Sequence, residues 1–205
     1  EAVAFLFRKA QDSGEVGESI ATGQGYIVIA MGKLGAAELN YSSDIDLIVF
    51  YDAKRAGLKP GSEPSTFFVK ITRDLVKLLQ EQTGEGYAFR TDLRLRPDPG
   101  ATQIALSTDA AFSYYESFGQ NWERAALIKA RAAAGDKELG EAFLHQLAPF
   151  IWRKYLDYAA VADIQAREGH VDGCRRSTGV ERCADVAAHR VRQPGVAIAA
   201  ATAAA

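Results

Sequence analysis

Residues 26–51, YIVIAMGKLGAAELNYSSDIDLIVFY, constrain the fold of this chain more tightly than any other stretch. Two apolar runs bracket a polar turn punctuated by glycine. The first run, Tyr26-Ile27-Val28-Ile29-Ala30-Met31, is short, uninterrupted and rich in β-branched residues, the pattern of a buried strand. Gly32 and Gly35 open a segment of good helix formers ending near Leu39, and Ser42 and Ser43 make the next turn. A second strand is expected over residues 44–50, and it begins with two carboxylates, Asp44 and Asp46.

Side chains alternate along a strand, so Asp44 and Asp46 share one face and Ile45 and Leu47 the other. Paired carboxylates repel, and burying them unpaired is costly. A hard divalent cation such as Mg²⁺ relieves both problems, commonly using one or two carboxylates together with phosphates. An isolated D-x-D is more often a turn cap beside an exposed acid. Its place here, after a glycine turn and at the head of a very apolar strand, favours a metal site.

A third strand is expected in residues 87–97, YAFRTDLRLRP, where 92–96 alternate strictly. Asp92, Arg94 and Arg96 then share one face, and Leu93 and Leu95 the other. That face suits a metal-bound polyphosphate: Asp92 supplies a third metal oxygen or a base, and the arginines meet phosphate oxygens bidentately. The plainer alternative is a solvated face with Asp92 and Arg94 as a surface pair. Taken together, the residues point to nucleotidyl or phosphoryl transfer with one or two Mg²⁺. Gly32 and Ser43 would offer backbone and hydroxyl donors to phosphate. Lys33 either neutralises charge there or is simply exposed.

The glycine turn, the D-x-D strand and the third Asp on a neighbouring strand resemble the nucleotidyltransferase superfamily related to DNA polymerase β. Locally, MGKLGAAELNYSSDIDLIVF, RTDLRLRP, FSYYESFGQNWERAALIKAR and PFIWRKYLDYAAVADI resemble the glutamine synthetase adenylyltransferase/adenylyl-removing enzymes, from about residue 1 to 164. In that family the N-terminal half removes AMP from a tyrosine of glutamine synthetase and the C-terminal half adds it. Tyr114-Tyr115, Gly119-x-x-Trp122-Glu123-Arg124, Ile128-Lys129-Ala130-Arg131 and residues 152–158 are similar to the removing half. Ala30, Ala36 and Ala37 stand where the family usually has glycine; alanine favours helix at 36–37 and should be tolerated.

The resemblance implies an α+β fold, a mixed sheet with covering helices followed by a helical bundle. It implies phosphorolysis of adenylylated glutamine synthetase to ADP, with Asp44, Asp46 and Asp92 as catalytic and Mg²⁺-binding carboxylates. Gly32, Lys33, Ser43, Arg94 and Arg96 are implied at the phosphate and nucleotide, and phosphate, ADP or ATP and a PII-type signalling protein among the partners. The alternatives are the adenylylating, ATP-using half, a non-catalytic fragment that binds glutamine synthetase or a PII-type protein, and a small-molecule nucleotidyltransferase of the same fold.

The rest of the chain sets bounds. A net charge of −2 gives no electrostatic case for nucleic acid. No apolar run reaches about 18 residues and no signal peptide opens the chain, so no membrane partner and a cytoplasmic location are expected. The start at Glu1, without Met, fits a piece of something longer. Residues 1–22 are expected as an N-terminal helix and linker, 23–107 as the nucleotidyltransferase core and 108–165 as the helical region. Helices are expected over 1–11, 66–82, 121–134, 136–147 and 149–165, with a short strand over 103–107. Ser107 or Thr108 is the expected N-cap of another helix. Tyr114, Tyr115, Phe118, Trp122 and Trp152 are expected in the core. Lys129 and Arg131, two apart on a helix, should splay. Residues 166–205 contain no aromatic residue or Lys but six Arg and eleven Ala, reading like GC-rich coding sequence out of frame. A disordered or weakly helical tail is expected there, with no role for Cys174, Cys183, His170 or His189.

Overall fold

The computed structural model describes residues 1–17 and 19–152. In order they form α1 (Ala2–Asp12), β1 (Tyr26–Ala30), α2 (Gly32–Gly35), β2 (Ile45–Tyr51), α3 (Pro64–Gln80), β3 (Thr91–Asp92) and β4 (Leu106–Ser107). There follow α4 (Thr108–Ser117), α5 (Asn121–Leu127), β5 (Arg131–Gly135), α6 (Lys137–Gln146) and α7 (Ala148–Ile151). The part of the last expected helix beyond 152, the tail and its cysteines and histidines lie outside the described residues.

The sheet order is β3-β2-β1-β5. β1 runs antiparallel to β2 and β5, while β3 and β4 pair parallel with the two ends of β2 along its other edge. Every residue of β1 and β2 is buried, because helices cover both faces and leave no solvated side for polar residues. Tyr26, Val28, Leu47, Val49 and Tyr51 face one cluster with α1 and α3. Ile27, Ile29, Met31, Ile48 and Phe50 face the other, with residues of α4–α7. This is a mixed α+β architecture.

On the α1/α3 side, Phe68 of α3 stacks on both Tyr51 (4.4 Å) and Tyr26 (5.8 Å). The Thr72 hydroxyl donates to the Phe68 carbonyl at 2.8 Å and meets the Tyr26 hydroxyl at 2.9 Å. Both phenol and hydroxyl are thereby satisfied in an apolar layer, and burial pushes the Tyr26 phenol well above its usual range. Tyr26→Phe removes one such bond while Thr72 keeps its carbonyl partner. It should cost about 1 kcal/mol, read as a lowered urea midpoint with an unchanged slope.

Several expectations are corrected. Residues 131–134 are not the end of a helix: α5 stops at Leu127 and the chain returns as β5 beside β1. Residues 108–152 therefore supply a strand to the sheet as well as helices. The expected helix from Gly32 to about Leu39 is one turn long, because Ala37 takes a left-handed φ of 59°. Alanine is thus not continuing a helix there; it holds a conformation that costs about 1 kcal/mol without glycine. Phe118 and Trp152 are exposed rather than in the core, and Trp122 is half-buried. By contrast, Ser107 caps α4, its hydroxyl accepting from Ala110 N.

Candidate active site

The functional side chains gather where β1 ends and β2 and β3 begin. The backbone N–H of Met31, just after β1, donates to the carbonyl of Asp46 at 2.9 Å. β2 and β3 are in parallel register with Asp46 beside Asp92. The Ile45 N–H donates to the carbonyl of Arg90 (2.8 Å), which extends this pairing and brings residue 90 level with Asp44. All three carboxylates thus meet at one end of the sheet, Asp44 just before the first residue of β2, and both Asp92 and Asp44 are close enough to act on Asp46.

Their environments differ. Asp46 is 7% exposed. Burial, then the negative charges of Asp92 and Asp44, push its carboxyl up to about 6, against the weaker pull of Arg94 and Lys33. Burial also acts to raise Asp92, but hydrogen bonds and charge from Arg94, with the charge of Arg96, overcome it and hold that carboxyl below its usual range. Asp44 accepts from Arg90 Nε at 2.5 Å, and Arg90 Nη2 reaches the Ser42 carbonyl at 2.6 Å.

The strand carrying Arg94 and Arg96 is shorter than their alternation suggests. β3 ends at Asp92, and the chain turns at Arg94 and Leu95. The turn is made by Asp92 itself, whose Oδ1 accepts from Arg94 N at 2.8 Å. The Arg94 side chain folds back onto the same carboxylate, with Nε 2.9 Å from Oδ2. Arg96 braces the following loop, donating to the carbonyls of Leu93, Pro99 and Thr102. Its buried Nε has no hydrogen-bond partner among the described residues.

Across the site, Gly32 leaves β1 with φ 50°, a left-handed turn that starts α2. Lys33 Nζ donates to Ser43 Oγ at 3.2 Å, joining α2 to the loop before Asp44. Gly35 lets α2 lie against the chain entering β5: a Cβ there would stand 2.1 Å from the Lys129 carbonyl. Arg131 then caps α2, donating to the carbonyls of Leu34 and Gly35, and Lys129 pairs with Glu38 at 3.2 Å. These two basic residues do not splay on a helix; both anchor the α2 region. A cavity of about 280 Å³ lies beside Asp44, between residues 39–43 and 87–90.

Arg90 is the residue that sequence reasoning passed over. The parity that links Asp92 to Arg94 extends back to Arg90, so the signal was present. Among the described residues, no three His, Cys, Asp or Glu side chains form a ready-made metal cage. The donor set, one buried carboxylate repelled by two others that are shared with arginines, suits a hard cation that brings water and phosphate ligands of its own.

A buried acid flanked by two arginine-paired acids lies at the end of a helix-covered mixed sheet, in an α+β protein. The glutamate-ammonia ligase adenylyltransferase family model matches residues 1–146, and the chain belongs to this family. It is 55% identical over 167 residues to the bifunctional glutamine synthetase adenylyltransferase/adenylyl-removing enzyme of Bradyrhizobium diazoefficiens, covering 80% of this chain and 17% of that protein. The enzyme of the same description from Rhizobium meliloti is 54% identical over 80% of this chain and 17% of its own length. That from Rhodopseudomonas palustris is 51% identical over 86% and 18%. The chain thus spans under a fifth of the length of these relatives. No helix among the described residues is long and apolar enough to cross a membrane.

Proposed function

We propose that the chain is the nucleotidyltransferase core, of DNA polymerase β type, of an adenylyl-removing enzyme acting on adenylylated glutamine synthetase. The observation that carries this reading is the parallel pairing of Asp46 with Asp92, which sets a buried, charge-repelled carboxylate between two others and beside arginines. The names of the relatives, which carry both activities, support glutamine synthetase as the protein substrate. The resemblance of Tyr114-Tyr115, residues 119–124 and residues 128–131 to the removing half favours removal over addition.

In this reading an oxygen of inorganic phosphate forms a bond to the AMP phosphorus and the bond to the tyrosine oxygen breaks. ADP is released, and the tyrosine oxygen takes a proton. Asp44, Asp46 and Asp92 would hold Mg²⁺, which when bound neutralises charge on the transferring group. Asp92 has a second possible duty, accepting a proton, for which its lowered pKa makes it a weak base. Lys33 and Ser43, bonded to each other beside the loop before Asp44, would donate to phosphate oxygens. Arg94 holds Asp92 through its Nε and Nη2.

Arg94→Lys tests the phosphate role, because it keeps the charge and loses the fork. ADP release measured against phosphate concentration should fall about tenfold in kcat/KM, the value of one charged hydrogen bond. An unchanged phosphate dependence would leave Arg94 as a partner of Asp92 only.

A further inference from the structure

Arg90 sits on a carboxylate that the proposed metal site needs. Its guanidinium bridges Asp44 Oδ1 and the Ser42 carbonyl. The Arg90 side chain is 55% exposed and that of Asp44 25%, so the pair lies on the rim of the site and is free to separate. Arg90 also lines the 280 Å³ cavity beside Asp44, together with Tyr87, Phe89 and the Ser42–Ser43 turn. A guanidinium and a divalent cation cannot both take the same carboxylate oxygen at close range, since their charges repel. The backbone of residue 90 is fixed by its hydrogen bond from Ile45, so only the side chain needs to move.

We propose that Arg90 is a positioning residue that guards Asp44: it occupies the carboxylate in the metal-free chain, yields it to a divalent cation, and then turns to the anionic oxygens of a phosphate ligand held by that cation. The inference rests on the metal-assisted reading above. It gives Arg90 opposite effects on two ligands, which a merely structural role would not do. With the cation alone, Arg90 competes; with a cation and a phosphate compound, it contributes.

The test is Mn²⁺ binding to the full 205-residue chain, followed by the loss of the free-ion electron paramagnetic resonance signal, with and without ADP. Arg90→Ala and Arg90→Gln are compared with the parent, and a melting curve verifies that each is folded. Gln keeps a donor for the Ser42 carbonyl without the charge, so it serves if Ala disturbs the loop. Both variants should bind Mn²⁺ alone roughly two- to fivefold more tightly, the scale of an exposed ion pair. Both should bind ADP in the presence of Mn²⁺ about tenfold more weakly. Mn²⁺ affinity that is equal or lower in the folded variants overturns the guarding role and leaves the metal reading standing. No Mn²⁺ binding by parent or variant overturns both. ADP affinity that is unchanged overturns the second half of Arg90's movement.

Discussion

Asp46→Asn should melt higher than the parent chain at about pH 7.5 in metal-free buffer, and at about the same temperature near pH 3.5. Folded Asp46 binds its proton at about 6 and the ordinary carboxyl at 3.8. Between those values the folded chain holds more protons than the unfolded one, so stability falls as pH rises through the window. Above it the whole penalty remains. Two pKa units correspond to roughly 3 kcal/mol at most, and a gain of about 2 kcal/mol would raise the midpoint by roughly 4–8 °C in a domain of this size. Asn keeps the shape and removes the charge that burial, Asp92 and Asp44 oppose. The same substitution should lower Mg²⁺-dependent turnover by more than about a hundredfold, since even outer-shell losses reach that scale. A variant with higher stability and no activity is the signature of a site held under electrostatic strain. Equal melting at both pH values, or retained turnover, would contradict it.

Gly35→Ala should destabilise the chain by roughly 3 kcal/mol. The added methyl would meet the Lys129 carbonyl at 2.1 Å and the Ala30 carbonyl at 2.7 Å. Both neighbours are backbone, so no rotamer change makes room. α2 has to move off the β1–β5 edge, which carries Lys33 away from Ser43 and breaks the Arg131 cap on Leu34 and Gly35. Chemical denaturation reads the loss directly. A midpoint within error of the parent would show that α2 is not wedged against β5.

The parts of the molecule legible in the sequence are those where local pattern and tertiary packing agree. β1 and β2 are short, mostly apolar runs rich in β-branched residues, and helices on both faces make that the right composition. Asp46 lies in β2, and Asp44 sits just before its first residue, Ile45. The alternation over 92–96 misled for a local reason: Asp92 bonds the backbone of Arg94 and turns the chain, so Arg94 and Arg96 leave the strand. β5 was hidden by composition. Its Arg-Ala-Ala-Ala run favours helix in isolation, yet the small residues serve packing. A Cβ on Gly140 of α6 would stand 2.8 Å from Ala132 Cβ and 2.9 Å from Ile27, so larger side chains would hold α6 off the sheet. Gly135, at φ 78°, and Asp136, the N-cap of α6, mark the break that ends any such helix. Arg90 shares the parity of Asp92, but its partner Asp44 is 46 residues away in sequence, so that pairing emerges from the register of β2 and β3.

The most direct measurement is ADP formation from adenylylated glutamine synthetase incubated with the full chain, Mg²⁺ and labelled inorganic phosphate. Phosphorolysis at the Asp44–Asp46–Asp92 site predicts ADP labelled in its β-phosphate, formed mole for mole with the AMP lost. It also predicts no ADP without phosphate or Mg²⁺, and none with Asp46→Asn. Release of unlabelled AMP, or no ADP from a chain whose melting curve shows it folded, would contradict that reaction.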